Sequence, residues 1–266
     1  MRQTQWILLA ALVGLTLWGC ATNVAPPSAE VRNALAPTGT LRVGILPANA
    51  LQVTKDASGE LKGVSIDIGK ELARRLGVSF AAVSFSSPPA LIASQKSAQW
   101  DVAFLAFDPA RAKDVEFVAP YMEVELGYLV PQGSRIKTLN DVDALGIRIA
   151  TGAKGGPDLF LSYNLKHAEL IRGAGVAAAM ELLKSGKADV VAANKPTLFV
   201  QSDRLPGSRV LDGRFSVAPY SMVIAKDRGA GEAYVRKFIE EIKASGLVKS
   251  SIEKAGLRGV VVAPPQ

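Results

Sequence analysis

VAFLAF, residues 102–107, is an apolar run at every position. A strand that is apolar on both faces is typical of a parallel sheet covered by helices on both sides. The segments before it support this interpretation, because strand-like and helix-like periods alternate along the chain. The order is a strand at 41–46, a helix at 64–76, a strand at 78–85 and a helix at 90–99. This alternation predicts an α/β fold with right-handed crossovers.

The helix predicted at 64–76 shows the pattern most clearly. Ile68, Leu72 and Leu76 recur at four-residue spacing and Gly77 follows, as expected for one buried stripe and a helix end. The alternation restarts in the second half of the chain, which predicts a second α/β unit, although no internal sequence repeat is evident. The elements predicted there and in the C-terminal segment are strands at 147–151, 189–193 and 220–225 and helices at 158–165, 176–184 and 232–245.

The N-terminus has the layout of an export signal. Arg2 precedes an apolar run at 6–18, and the only cysteine of the chain, Cys20, follows it. The run is too short for a stable membrane-spanning helix. It therefore predicts a signal peptide at residues 1–19 with a lipid attached to Cys20, which anchors the protein to a membrane. An uncleaved anchor with a structural cysteine is the alternative, and it implies the same location.

Two segments outside the α/β units are expected to carry little structure. Residues 20–38 contain prolines among Ala, Ser and Asn and lack a sustained apolar period, so they are predicted to be a tether. The tail at 260–266 ends in Ala-Pro-Pro-Gln and is predicted to be frayed.

The net charge of +7 is compatible with binding to nucleic acid, but the distribution of the charges argues against it. Lysines alternate with acids, as in residues 237–243, and this is typical of a solvated helix face. We therefore expect no nucleic-acid partner. With one cysteine no internal disulfide can form, so stability must come from apolar burial.

The residues offer little for covalent or metal chemistry. His167 is the only histidine and lies on a polar stretch, which predicts an exposed side chain rather than a catalytic base. No Cys/His cluster and no loop of alternating acids is present, so the sequence predicts no metal, no cofactor and no catalytic residue.

A glycine-containing run at 151–158 connects a predicted strand to a predicted helix. Backbone N–H groups in such a run, here around Ala153, Lys154 and Gly155, can face an anion. The run lacks the Gly-Lys-Ser or Gly-Lys-Thr ending of a nucleotide phosphate loop. An anion site and a plain flexible connection both stay open at this point.

From Gly39 to about Gly259 the chain resembles the family 3 extracellular solute-binding proteins, the amino-acid-binding components of bacterial ABC importers. Four stretches carry the resemblance, at 63–73, 101–121, 139–152 and 186–194. It implies a periplasmic-binding-protein-like fold of type II, with two lobes joined by crossing strands near 125–130 and 217–222. The implied boundaries are 39–126 for lobe 1, 127–220 for lobe 2, and 221–266 for the return to lobe 1 and the tail.

The resemblance also implies what the protein does. Closure of the lobes on a small polar or anionic solute, such as an amino acid or an organic acid, would create the state that an ABC permease recognises. We expect a monomeric periplasmic lipoprotein on the outer face of the membrane.

When the ligand-binding residues of the family are carried across to this chain by position, only some of them match. Arg111 occupies the place of the arginine that forks onto a ligand carboxylate, whereas the acid that pairs with the ligand ammonium is replaced by Asn194. Burying an ammonium without a carboxylate is costly, so an ordinary amino acid is disfavoured. The ligand-binding residues expected from this comparison are Asn49, Phe104, Phe107, Arg111, Ala153, Lys154, Gly155 and Asn194, with the two phenylalanines as walls or as ordinary core.

Two alternatives stay open. Cyclohexadienyl dehydratases are similar to this family and act on a dicarboxylic substrate, which requires a general acid in the cleft. Asn194 supplies none, and Glu123 and Glu125 fall near the junction of the lobes, so we expect no enzyme activity. A sensor or docking lipoprotein that keeps the fold without transport is the other alternative.

Overall fold

The computed structural model describes residues 27–47, 51–56 and 58–266. The signal peptide, Cys20 and Asn49 lie outside the described residues. The elements are, in chain order, α1 (Ala29–Leu35), β1 (Thr40–Ile45), β2 (Thr54–Lys55), β3 (Leu61–Lys62), α2 (Val64–Leu76), β4 (Ser79–Ser84), α3 (Pro88–Ser94), β5 (Val102–Ala106), β6 (Glu116–Val130), β7 (Arg148–Gly152), α4 (Gly156–Asn164), β8 (Glu169–Gly173), α5 (Val176–Lys184), β9 (Val190–Asn194), α6 (Lys195–Asp203), β10 (Arg209–Val210), β11 (Ser216–Ile224), α7 (Ala230–Ala244), α8 (Leu247–Lys254) and β12 (Val260–Val262).

One long sheet runs through the molecule in the order β4-β1-β5-β11-β6-β9-β7-β8, and β10 and β12 pair with β6 beside it. Strand β1 is parallel to β4 and β5, and β7 is parallel to β8 and β9. Strands β6 and β11 are antiparallel to their neighbours. The α/β fold with two parallel units, predicted from the alternation of periods, is confirmed.

The sheet belongs to two lobes with separate cores. Lobe 1 comprises α1 to β5, residues 116–124 of β6, and β11, α7, α8 and β12, and its largest core holds the inner faces of α2, α7 and α8. Lobe 2 comprises residues 126–130 of β6 together with β7 to β10 and α4 to α6. The boundaries predicted at 126/127 and 220/221 fall inside β6 and β11, and they stay a prediction.

Local sequence explains most of the elements. Helix α2 buries Ile68, Leu72 and Leu76 as predicted, and Gly77 ends it in the left-handed conformation with φ of 69°. Strand β5 sends Val102 and Phe104 into one core of lobe 1 and its alternate residues into another on the opposite face. Its apolar composition on both faces is therefore explained by burial on both faces.

Three predictions about the termini and helices need correction. Part of the predicted tether forms α1, whose buried Val31 and Leu35 pack against α7. The C-terminal tail is not frayed at its start, because β12 pairs with β6 and the Ala263 N–H donates to the Tyr121 carbonyl at 3.2 Å. The helix predicted at 90–99 is the shorter α3 followed by a 3-10 turn at Gln95–Ser97.

The same ion pair occurs once in each lobe. In lobe 1 the backbone N–H, Nε and Nη2 of Arg42 on β1 all donate to Asp101, which directly precedes β5, at 2.9, 3.0 and 2.6 Å. In lobe 2 the same three groups of Arg148 on β7 donate to Asp189, which directly precedes β9, at 2.9, 3.0 and 3.0 Å. Each pair fixes the register of the first strand of its lobe against the strand beside it. The two pairs differ in environment, since the Asp101 side chain is fully buried and that of Asp189 is one-third exposed.

This difference gives a matched stability test. We expect Asp101→Asn to lower the free energy of unfolding by about 3–5 kcal/mol, because the guanidinium of Arg42 loses its buried partner. The equivalent Asp189→Asn change should cost about 1 kcal/mol, because its pair is partly solvated. Urea unfolding at neutral pH measures both. Equal losses in the two variants would show that burial is not what distinguishes the pairs.

Candidate functional site

A cavity of about 660 Å³ lies between the lobes. It is bounded by Leu46 after β1, by Ser86 and Ser87 after β4, and by Asn194 at the end of β9, so three of its borders are carboxyl ends of parallel strands. Open α/β sheets place their ligands at such ends. The other lining residues are Leu51, Pro88, Pro196, Thr197, Val200, Tyr220, Gly256, Leu257 and Arg258.

Asn194 has two roles in this cavity. It is the last residue of β9 and the N-cap of α6, and its Oδ1 accepts the backbone N–H of Thr197 at 3.1 Å. Because this hydrogen bond turns the amide oxygen toward the helix, the Nδ2 group is the end of the side chain left for a ligand. At this position the site offers a hydrogen-bond donor.

Arg111 and Asn194 line different cavities. Arg111 begins a 3-10 turn after β5, and its Nη1 donates to the Ala106 carbonyl at 3.1 Å. It lines a second cavity of about 550 Å³, together with Ile92 of α3 and Lys96 of the 3-10 turn that follows α3. The structure therefore does not bring the guanidinium of Arg111 and the amide of Asn194 into one cavity.

The two phenylalanines expected as walls have different environments. Phe104 is 2% exposed and packs edge-on against Tyr121, with ring centroids 5.4 Å apart. It points into the core of lobe 1, because it shares a face of β5 with Val102, and this favours the ordinary-core alternative for Phe104. Phe107 lies beyond the end of β5, is 49% exposed and packs edge-on against Phe117.

The glycine-containing loop after β7 is already satisfied from within the chain. The Ala153 N–H donates to the Gly173 carbonyl at 2.9 Å, and the Gly155 N–H donates to the Gly152 carbonyl at 3.4 Å. The Lys154 N–H donates to Asp158 Oδ2 at 2.8 Å. A carboxylate of the protein thus occupies the place where an external anion was considered, and the loop is a structural connection. The feature of the sequence that could have indicated this hydrogen bond is Asp158, an acid four residues after Lys154.

Asp158 is the electrostatic centre of this corner of lobe 2. The residue is 5% exposed. Its carboxylate also accepts hydrogen bonds from Arg172 Nε at 2.8 Å and from Ser162 Oγ at 3.2 Å. Burial raises the pKa of Asp158, but the Lys154 N–H, the Arg172 charge and the Ser162 hydroxyl outweigh it, so the pKa lies below its ordinary value. A carboxyl whose pKa is lower in the folded protein stabilises the fold above its unfolded pKa of about 3.9, and this stabilisation is lost as the pH falls.

We expect Asp158→Asn to lower the melting temperature at pH 7. The difference from the unmodified protein should shrink as the pH falls from about 5 to about 3, because the carboxyl then binds a proton in the unfolded chain before it does so in the folded protein, and the advantage of the charged form declines. Differential scanning calorimetry over that range measures the effect. Asp212→Asn, at an exposed acid, is the control and should shift little at either pH. A difference that stays constant across the range would contradict the role assigned to the Asp158 charge.

The acids near the lobe junction are unequally placed. Glu125 accepts from Lys195 Nζ at 3.0 Å and from Arg214 Nη1 at 3.1 Å, so both of its oxygens hold cations. Glu123 lies in the β6 segment that pairs with β12. Among the described residues no group of three or more His, Cys, Asp or Glu side chains could hold a metal ion, and no helix is long and apolar enough to cross a membrane.

Several cavity residues were not found from the sequence. Tyr220, Thr197 and Arg258 reach the cavity from β11, α6 and the loop after α8. Helix α6 itself could have been found, because Asn194 followed by a proline two residues later is a helix-start signal.

A two-lobe α/β fold with a cavity at the carboxyl ends of strands from both lobes defines a solute-binding protein of the periplasmic type. The chain belongs to the bacterial extracellular solute-binding proteins, family 3, whose model matches residues 41–256. The predicted family and fold class are confirmed.

Individual relatives are distant. The chain is 23% identical over 198 residues to the ABC transporter glutamine-binding protein GlnH of Bacillus subtilis, with 71% of each chain covered. It is 23% identical over 252 residues to the cyclohexadienyl dehydratase of Pseudomonas aeruginosa, with 92% of each chain covered. Among solved structures, an ABC transporter binding component of Wolinella succinogenes, complexed with lysine, superimposes with a TM-score of 0.63 at 25% identity, covering 82% of this chain and 95% of the other.

Proposed function

We propose that this protein captures a small polar or anionic solute between its lobes and delivers it to an ABC permease. The observation that carries the proposal is the place of Asn194, an uncharged amide that lines the cavity and whose Oδ1 is taken by the Thr197 N–H, at the position where the family resemblance places an acid. The cavity volume of about 660 Å³ suits a small molecule.

The charge of the cavity lining supports the same solute class. Arg258 is the only charged residue among the residues that line the cavity in the described part of the chain. A ligand ammonium buried there would have no carboxylate partner, whereas a carboxylate or carbonyl would meet the Asn194 amide and hydroxyl groups. Arg111 lines a different cavity, and the guanidinium of Arg258 is paired with Asp203, so the proposal rests on the absence of acids from the described lining rather than on an arginine bound to the solute.

Glutarate and glutamate test the proposal, because they differ only in the α-ammonium group. We expect the wild-type protein to bind glutarate at least as tightly as glutamate in calorimetric titration. Asn194→Asp should shift the ratio of the two affinities toward glutamate by about tenfold, which corresponds to about 1.4 kcal/mol. Aspartate is also a good N-cap, so α6 should persist in the variant, and its circular dichroism spectrum is the control. Wild-type binding of glutamate tenfold tighter than glutarate would contradict the proposed solute class.

An enzyme on the same scaffold is the second candidate, because the Pseudomonas dehydratase covers nearly the whole chain. Elimination needs a proton donor in the cleft. Glu125 holds two cations with its carboxylate, which argues against its use as a general acid. Prephenate in the same titration series separates the candidates: we expect it to be recovered unchanged, and its conversion would favour the enzyme.

We also propose that the mature chain begins at Cys20, carries a lipid there and is held at the extracytoplasmic face of the membrane. The support is the sequence pattern of residues 1–20. Cys20→Ser should abolish incorporation of radiolabelled palmitate during expression in a bacterial host and release the protein into the soluble periplasmic fraction. Labelling of the Cys20→Ser variant at the wild-type level would contradict this assignment.

A further inference from the structure

The loop between α8 and β12, residues 255–259, leaves lobe 1 and contacts lobe 2. Helix α8 buries Val248 and Ile252 in the main core of lobe 1, and β12 pairs with residues 122–124 of β6. Between these two elements, Arg258 Nη2 donates to Asp203 Oδ2 at 2.5 Å. The guanidinium carbon of Arg258 also lies 4.6 Å from the centre of the Phe199 ring. Both partners belong to α6 of lobe 2.

The next residue of the loop contacts the other end of the same helix. Gly259 lies against Lys195, the first residue of α6, so closely that a side-chain carbon at Gly259 would overlap the Lys195 side chain. The Gly259 carbonyl accepts the Glu125 N–H at 2.9 Å, and the Glu125 carboxylate holds Lys195 Nζ at 3.0 Å. Two adjacent residues of the loop thus contact α6 at both ends, Gly259 at its first residue and the Arg258 side chain at its last.

Helix α6 also carries the lobe 2 side of the cavity. Asn194 caps it, and Thr197 and Val200 line the cavity from its first two turns. Arg258, from the loop after α8, lines the same cavity. The loop therefore contacts the helix that carries Asn194 at the cavity.

The chemistry of Arg258 suits a clasp that opens easily. Asp203 and Arg258 are more than half exposed, and an exposed ion pair alone contributes little. A planar guanidinium can pair with a carboxylate and stack on an aromatic ring at the same time, which an ammonium cannot do. A contact of modest strength between lobes can bias an equilibrium between open and closed states without locking it.

We propose that Arg258 is a positioning residue for solute capture. It clasps α6 to the C-terminal return of lobe 1 through Asp203 and Phe199, and thereby holds Asn194 and Thr197 in place at the cavity. Its effect on affinity rests on the proposed function. Its effect on the separation of the lobes is independent of any solute.

The first test measures the separation of the lobes. In the mature chain with Cys20→Ser, spin labels at Lys96→Cys in lobe 1 and Glu181→Cys in lobe 2 report the inter-lobe distance by double electron–electron resonance. We expect Arg258→Ala to broaden or shift the distance distribution of the solute-free protein, and Arg258→Lys to give an intermediate result. Arg236→Ala is the matched control, because it removes a similarly exposed pair with Glu232 inside one helix, and it should leave the distances unchanged. An unchanged distribution in Arg258→Ala would overturn the proposal.

The second test uses the glutarate and glutamate titrations. If Arg258 acts by position, Arg258→Ala weakens binding of both compounds by the same factor, about three- to tenfold, with a melting temperature close to that of Arg236→Ala. A change in the ratio of the two affinities would overturn the proposal in favour of direct contact between Arg258 and the solute. If neither compound binds the wild-type protein, the proposed solute class fails, while the distance measurement still decides the role of Arg258.

Discussion

The single strand β6 is the constraint on which the two-lobe arrangement depends. Its residues 116–124 pair within lobe 1 and its residues 126–129 pair with β9 of lobe 2, so one continuous strand belongs to both lobes. Glu125 stands at the crossing point. Its backbone N–H is bound by the loop after α8, and its carboxylate is bound by Lys195 of α6 and by Arg214 just before β11. Four segments that are distant in sequence thus meet at one residue.

The negative charge of Glu125 has a physical reason. Lys195 is largely buried at the start of α6, where the helix dipole disfavours a cation. Glu125 offsets that cost, because its carboxylate lies between two cations. A polar network whose members are all paired holds the groups that it joins in one arrangement.

The sequence predicted the parts of the fold that are governed by periodicity. The stripe of Ile68, Leu72 and Leu76 predicted α2 with its end at Gly77, and the apolar strand at β5 predicted burial on both faces. It missed α1, because seven residues with Val31 and Leu35 as the buried pair are too short to show a period. Strand β8 was missed for a related reason, since only Leu170 and Ile171 of its five residues are large and apolar, and two adjacent residues show no alternation.

The candidate site was less predictable than the fold. The apolar sequence of β5 predicts that Phe104 is buried. It does not predict which of the two cores, on either side of β5, the Phe104 side chain enters. The loop around Lys154 looked like an anion site because its N–H groups are real donors, and only the fold brings Asp158 onto them. The repeated Arg–Asp pair was equally hidden. Its two copies, Arg42 with Asp101 and Arg148 with Asp189, share geometry, but an arginine between two apolar residues and an Asp-Val pair are matches too short to stand out as a repeat.

The double duty of Asn194 has a consequence for how such a protein could change over generations. An N-cap accepts asparagine and aspartate almost equally well, so replacing one by the other leaves helix α6 nearly undisturbed. The same exchange decides whether this position of the crevice carries a neutral amide or a negative charge. A single-nucleotide substitution in this codon therefore changes the charge of the crevice without unfolding the protein. Under the proposed function, solute preference can evolve by this route through intermediates that are all folded.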